Sequence, residues 1–76
     1  MSFEDEARAY LREKNIEYEI YGGMYTYHVR IKDTHKKFYL GVVLPELRLI
    51  GTKYKLLNTG TTFYATNIYV RFYARH

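Results

Sequence analysis

Residues 16–32, which read IEYEIYGGMYTYHVRIK, decide the fold of this chain. Two runs of alternating apolar and polar residues flank the pair Gly22-Gly23. Two glycines between such runs are typical of the tight two-residue turn of a β-hairpin. We therefore predict an antiparallel hairpin whose apolar side chains share one face. The register expected from this turn pairs Tyr21 with Met24, Ile20 with Tyr25, Tyr18 with Tyr27 and Ile16 with Val29.

The second face of the predicted hairpin is polar. The same register sets Glu19 opposite Thr26 and Glu17 opposite His28, with basic residues farther from the turn. A histidine beside a glutamate on neighbouring strands is either an ordinary cross-strand pair or a group that makes binding depend on pH. Both interpretations of His28 stay open on the sequence.

A third strand is predicted after a short turn around Thr34-His35. If Asp33 pairs with Lys36 across this turn, the apolar face of the hairpin continues onto the new strand. The expected apolar pairs are Ile31 with Phe38, Val29 with Leu40 and Tyr27 with Val42. The expected polar-face pairs are Arg30 with Tyr39 and His28 with Gly41.

The residues before the hairpin predict a helix. Ser2 followed three residues later by Asp5 resembles a capping box, and Asn15 can adopt the left-handed conformation that ends a helix. Residues at helical spacing form one apolar stripe, which we expect to pack on the sheet. These residues are Phe3, Ala7, Tyr10 and Leu11.

The C-terminal half follows a less regular pattern. Asn58-Thr59-Gly60 is a predicted turn, and the run 61–75 is interpreted as one strand that folds back from it. The apolar pattern changes sides around Gly51 and Asn67, which predicts a β-bulge or a sharp bend there. The expected pairs across this turn are Leu49 with Val70 and Leu47 with Phe72.

These patterns together predict a single α+β domain over residues 1–76. One N-terminal helix (2–14) packs on a four- to five-stranded antiparallel β-meander (16–75). The apolar face of that sheet is expected to form the core with the helix. Its predicted members are Ile16, Tyr18, Ile20, Tyr27, Val29, Ile31, Phe38, Leu40, Val42, Val70 and Phe72.

Composition and charge restrict the kinds of site, the cellular location and the partners that we expect for this chain. The chain has 76 residues and no cysteine, so disulfides and thiolate metal sites are excluded. It has neither a basic region followed by an apolar run at its N-terminus nor an apolar stretch near the ~20 residues of a membrane span. We therefore expect an intracellular protein that lies in the cytoplasm, either of its own cell or of a host cell. We expect no membrane partner. The net charge of +4 would attract an anionic partner. The alternative is that this charge only keeps a small domain soluble.

The C-terminal strand carries the strongest candidate for function. Its alternate side chains are tyrosine and arginine, and ten tyrosines in so short a chain are too many for the core to hide. If this ladder faces the same way as the polar face of the hairpin, the sheet presents one basic and aromatic surface. The predicted partner-binding residues are His28, Arg30, Lys32, Tyr39, Tyr69, Arg71, Tyr73 and Arg75.

Three uses of this surface are open on the sequence. Protein interfaces are enriched in tyrosine and arginine, which favours a small inhibitor or adaptor of the phage or mobile-element type. Single-stranded DNA or RNA is the alternative, because bases stack on aromatic rings and phosphates bind basic side chains. The tyrosine and arginine side chains could also simply stack on each other. A homodimer through a sheet edge or through the open sheet face is a further expectation.

The sequence favours a protein without catalytic activity. There is no cysteine, and the only serine is the predicted helix cap Ser2, so no activated nucleophile is evident. His28, Asp33, His35 and His76 do not form a closed set of metal ligands in the sequence. No glycine-rich phosphate loop precedes a helix. We therefore predict no enzyme, no cofactor and no metal.

Overall fold

A computed structural model describes residues 2–22, 25–32 and 38–74 of the chain. The described residues form two α-helices, one π-helical segment and four β-strands. In chain order these are α1 (Phe3–Glu13), β1 (Tyr18–Gly22), β2 (Thr26–Lys32), the π-helix (Tyr39–Val43), α2 (Leu44–Lys53), β3 (Leu56–Tyr64) and β4 (Asn67–Ala74). The predicted α+β class is confirmed, and the described sheet has four strands, within the predicted four to five.

Helix α1 begins and ends as predicted. The Ser2 hydroxyl accepts a hydrogen bond from the backbone N–H of Asp5, and the Asp5 carboxylate accepts one from the N–H of Ser2. Asn15 has a φ of 58°, and the N–H of Ile16 donates to the carbonyl of Leu11. This is the hydrogen bond of a Schellman motif, in which the left-handed residue reverses the chain and satisfies a terminal carbonyl.

The first hairpin is antiparallel, but its predicted register is wrong. Tyr18 lies opposite Ile31 and Ile20 lies opposite Val29, so each partner is four residues farther along β2 than expected. Because side chains alternate with a period of two, a shift of four residues keeps every side chain on its predicted face. The connection is longer than two residues: β1 ends at Gly22 and β2 begins at Thr26, and residues 23–24 lie outside the described part.

The predicted third strand is wrong, because residues 39–53 are helical. The segment from Phe38 to Leu44 is apolar at nearly every position and therefore fits both a strand and a helix. The buried side chains follow the helical spacing instead, and Pro45 occupies the first turn of α2, where a missing N–H costs nothing. The buried members are Tyr39, Val43, Leu44, Leu47 and Ile50, whereas Phe38, Leu40 and Val42 are exposed. The predicted turn at 33–36 lies outside the described residues.

The C-terminal half contains a hairpin that the sequence analysis missed. Strands β3 and β4 pair around the two residues Ala65 and Thr66, so the single strand predicted from residue 61 onward is wrong: residues 61–64 belong to β3 and residues 67–74 form β4. The predicted turn at 58–60 is a register shift within β3, where one extra residue makes a bulge. The predicted bulge near Gly51 is wrong because this residue lies in α2, and the predicted pairings of Leu47 and Leu49 with β4 are wrong for the same reason.

The sheet has the strand order β1-β2-β4-β3, so β4 lies between β2 and β3. The predicted meander is wrong, because in a meander β3 would pair with β2. Both helices contribute to the core on one face of the sheet. The buried core residues of the helical segments are Phe3, Ala7, Leu11, Tyr39, Val43, Leu44, Leu47 and Ile50, and those of the strands are Val29, Ile31, Leu56, Ile68, Val70 and Phe72. Within the described chain, neither α-helix is long and apolar enough to cross a bilayer.

Candidate binding face of the sheet

The side chains that alternate with the core residues lie on the other side of the sheet, and we call this surface the open face. On the two inner strands, β2 contributes four positions and β4 contributes four positions to it. These positions are Thr26, His28, Arg30, Lys32, Asn67, Tyr69, Arg71 and Tyr73. The edge strands add Glu19, Tyr21, Leu57, Gly60, Thr62 and Tyr64.

The pairing of β2 with β4 brings most of the predicted site residues together. His28 lies opposite Arg71, and Arg30 lies opposite Tyr69. Lys32 and Tyr73 occupy open-face positions on the same two strands. Six of the eight predicted residues therefore share one face, and their role in binding stays a prediction. Arg75 lies outside the described residues.

Tyr39 does not belong to the open face. It lies in the π-helix on the core side and is only 2 % exposed. Its hydroxyl is 3.3 Å from the hydroxyl oxygen of Thr61, and burial raises the pKa of Tyr39. The prediction that Tyr39 lies on the polar face depends on a strand at residues 38–42, and it is wrong because Tyr39–Val43 is helical.

Two of the predicted cations are paired with glutamates. The guanidinium of Arg30 lies 3.6 Å from the carboxylate of Glu19 and donates a 2.9 Å hydrogen bond to the side-chain carbonyl of Asn67. The ammonium of Lys32 lies 3.7 Å from the carboxylate of Glu17. The observed register therefore pairs these glutamates with cations, and the predicted pairs of Glu19 with Thr26 and of Glu17 with His28 are wrong.

Arg71 is held in place without a carboxylate. Its Nε donates a 2.9 Å hydrogen bond to the hydroxyl of Thr59, which is the extra residue of the β3 bulge. The side-chain amide of the preceding residue, Asn58, donates to the Arg71 carbonyl at 3.1 Å. Within the described residues, no ion pair joins Arg71 to an acid. The bulge thus orients an exposed guanidinium whose charge is not neutralised by a described side chain.

The ring of His28 is stacked on the ring of Tyr21. Their centroids are 5.1 Å apart and their planes differ by 11°. Tyr21 was not among the predicted site residues. Its alternation with Ile20 places it on the polar face in any register of the hairpin, so this signal was present in the sequence.

Two depressions flank Arg71 and His28 on the open face. One measures about 200 Å³ and lies over Gly60, bordered by Tyr21 and Tyr69; we call it the Gly60 depression. The other measures about 430 Å³ and is bordered by Thr26 and Tyr73; we call it the Tyr73 depression. Arg71 and His28 line both.

The chemistry of these groups suits the binding of a partner. A guanidinium offers a planar fork of donors to a carboxylate or phosphate, and tyrosine rings offer flat faces with a hydroxyl at the edge. Among the described residues, no three histidine, aspartate or glutamate side chains lie close enough to hold a metal ion. The sequence candidates Asp33, His35 and His76 lie outside that part of the chain.

Comparison of the chain with known proteins finds no matching family model, no matching curated protein and no matching solved structure.

Proposed function

We propose that this protein binds another protein through its open face, as a small non-catalytic inhibitor or adaptor. The observation that carries the proposal is the Tyr73 depression, which an oriented, exposed arginine lines together with a tyrosine and a histidine. Tyrosine and arginine are the residues on which protein interfaces depend most strongly. A helix-free face that bears them is therefore suited to a macromolecular partner.

The charge of the open face favours a protein over a nucleic acid. Arg30, Lys32 and Arg71 contribute three positive charges, and Glu17 and Glu19 contribute two negative charges that pair with the first two cations. Among the described residues, the open face together with the adjoining Glu17 therefore carries a net charge of +1 when His28 is neutral. A phosphate backbone that crossed this face would meet the two carboxylates, whereas non-specific nucleic-acid binding depends on an excess of cations.

The partner's contact at Arg71 is expected to be an acidic side chain. A carboxylate can accept two parallel hydrogen bonds from a guanidinium, and the Nη atoms of Arg71 are not engaged by a described acid. Thr26 and Tyr73 border the same depression and supply contact area beside the charge. Single-stranded nucleic acid is the second candidate, because a guanidinium beside aromatic rings also suits phosphates and stacked bases.

The test is affinity purification from the native cell with the wild-type protein and with the double variant Arg71→Ala/Tyr73→Ala as baits. A variant of exposed residues on α1, Arg12→Ala/Glu13→Ala, is the matched control. A partner protein should be captured by the wild type and by the control but be lost with the double variant, because truncating interface anchors costs affinity. Capture should persist after nuclease treatment.

Two results would contradict the proposal. If the double variant retains the partner, the open face around Arg71 is not the binding surface. If capture disappears with nuclease and weakens linearly with the logarithm of salt concentration, the partner is a nucleic acid. Thermal unfolding of the double variant serves as the control for folding, since both residues are exposed and surface substitutions usually change stability little.

A further inference from the structure

The outer edge of β3 has a bulge at Thr59 but lacks the charged residues and the proline that usually protect an edge strand from pairing with another strand. Among the described residues, β3 pairs with β4 alone. Its nine residues, LLNTGTTFY, include no charged residue and no proline. Natural edge strands usually carry such residues because exposed backbone N–H and C=O groups otherwise accept a further strand. The β3 edge is therefore open to strand addition.

The open face next to this edge has a hollow and a protrusion. A Cβ atom built on Gly60 would meet nothing within 4 Å, and this residue lies under the depression of about 200 Å³. Tyr64, four residues farther along the strand, is 70 % exposed, the largest fraction among the exposed large hydrophobic residues of the described chain. Both residues point to the open face, because they lie opposite Arg71 and Asn67 of β4.

We propose that a second copy of this chain pairs antiparallel with the β3 edge, with Tyr64 of each copy lying over Gly60 of the other. Gly60 and Tyr64 are equally distant from Thr62 along the strand. A two-fold axis at Thr62 therefore sets each Gly60 opposite the Tyr64 of the other copy. An aromatic ring across from a glycine on an edge strand covers the backbone that the glycine leaves exposed.

The hydrogen-bonding pattern permits this register. In an antiparallel strand, alternate residues direct their N–H and C=O groups to the same side. A two-fold axis at Thr62 sets each outward-directed residue of one copy opposite an outward-directed residue of the other. The central pair is then threonine against threonine, which is a favourable cross-strand pair. No like charges lie opposite each other across the two-fold axis, because β3 has no charged residue.

A second copy is favoured over an unrelated strand because the patch is self-complementary. A two-fold interface needs a protrusion and its matching hollow on the same surface, and Tyr64 and Gly60 supply both. The other edge strand, β1, carries the acid Glu19, and a charged side chain is a usual protection of an edge strand against further pairing. This inference does not depend on the proposed partner surface, which is centred on the Tyr73 depression.

The test is sedimentation equilibrium of the whole chain and of charge variants at Thr62. The wild type should show a concentration-dependent dimer. Thr62→Glu and Thr62→Lys should each raise the dissociation constant by about tenfold or more, because like charges then meet at the axis. An equimolar mixture of these two variants should form a heterodimer in native mass spectrometry. Thr66→Glu in the β3–β4 turn is the matched control and should dimerise like the wild type.

Tyr64→Ser is a second, independent variant. It should also raise the dissociation constant by about tenfold, since it removes the ring that covers Gly60. Circular dichroism checks that each variant is folded, and both positions are exposed. A wild type that stays monomeric at every concentration overturns the proposal. A dimer that Thr62→Glu and Tyr64→Ser leave unchanged overturns it too, because the interface then lies elsewhere.

Discussion

The hydroxyl of Tyr54, just after α2, donates a 2.9 Å hydrogen bond to the carboxylate of Glu6 in the first turn of α1. The same carboxylate oxygen accepts a 2.7 Å hydrogen bond from the ammonium of Lys53. These two contacts link helices that are nearly fifty residues apart in the chain. The hydrogen bond from Lys53, and then that from Tyr54, lower the pKa of Glu6 below its usual value.

The stability that Glu6 contributes should therefore depend on pH. A carboxyl group whose pKa is lower in the folded state than in the unfolded state stabilises the fold above the unfolded pKa, which is about 4.3 for glutamate. This stabilisation disappears as the pH falls through the folded pKa. We expect Glu6→Gln to lower the free energy of unfolding at neutral pH, and the difference from the wild type to shrink below about pH 4. Urea unfolding at a series of pH values measures it.

The matched control for this prediction keeps the acid and removes its partners. In the double variant Lys53→Met/Tyr54→Phe, Glu6 no longer accepts a hydrogen bond from the residues at the end of α2. Adding Glu6→Gln to this variant should therefore lower the free energy of unfolding much less than it does in the wild type. A loss from Glu6→Gln that is the same at every pH would show that the carboxylate acts through packing rather than through its charge.

Helix α1 and the faces of the sheet could be predicted because local signals are sufficient for them. The Ser2–Asp5 cap and the left-handed Asn15 act within a few residues of the chain. The alternation in β2 and in β4 separated His28 and Arg71 from the core residues of their own strands even though the register of the first hairpin was wrong. The sequence left open whether the two residues share a face, and the pairing of β2 with β4 places them opposite each other. The face on which a side chain lies depends only on whether its position along the strand is odd or even. A change of register by an even number of residues leaves this unchanged.

The middle of the chain could not be predicted for a physical reason. The segment from Phe38 to Leu44 is apolar on both possible faces, so its sequence does not choose between a strand and a helix. Tertiary packing decides between the two conformations. In the helix, Tyr39 packs on the core side of the sheet and contacts Thr61 and Phe63. The β3 bulge that orients Arg71 was missed for a related reason: Asn58-Thr59-Gly60 has the composition of a turn, and only pairing with β4 makes it a bulge.

Two glycines in the helical segments should respond oppositely to the same substitution. A Cβ on Gly51 would lie 3.2 Å from the ring of Phe72, which is fully buried, whereas a Cβ on Gly41 would meet nothing within 4 Å. Gly51→Leu should therefore destabilise the fold by about 1–3 kcal/mol through overpacking. Gly41→Leu should stabilise it by up to about 1 kcal/mol through helix propensity. Thermal and urea unfolding measure both, and equal losses would contradict the tight contact at Gly51.

The turn between β3 and β4 stores backbone strain at Ala65. This residue has a φ of 54°, a left-handed conformation that costs most L-residues about 1–2 kcal/mol. Ala65→Gly removes the cost but adds freedom to the unfolded chain, so a net gain of about 0.5–1 kcal/mol in the free energy of unfolding is expected. Asn15→Gly is the control, because asparagine tolerates the left-handed conformation at φ 58°, so glycine relieves little strain there and should give no gain in the free energy of unfolding. A destabilised Ala65→Gly variant would contradict the strain.

The glutamates on and beside β1 should limit the affinity of the open face for nucleic acid. Glu17 and Glu19 pair with Lys32 and Arg30, and neutralising both acids raises the charge of the face from +1 to +3. We expect Glu17→Gln/Glu19→Gln to bind a fluorescent single-stranded oligonucleotide about tenfold more tightly than the wild type at low salt, and with a steeper dependence on salt concentration. Fluorescence anisotropy measures both quantities.

The control for that experiment changes the net charge of the protein by the same amount, but at positions away from the open face. Glu4→Gln/Glu13→Gln removes two acids from α1, on the other side of the sheet. If the two double variants gain the same affinity, the oligonucleotide responds to net charge alone and the open face has no special role. If the β1 variant gains no affinity, Arg30 and Lys32 do not contact phosphates even when their glutamates are removed. A selective gain would show that the open face reaches phosphates once its acids are gone, and that in the wild type those acids restrict it to other partners.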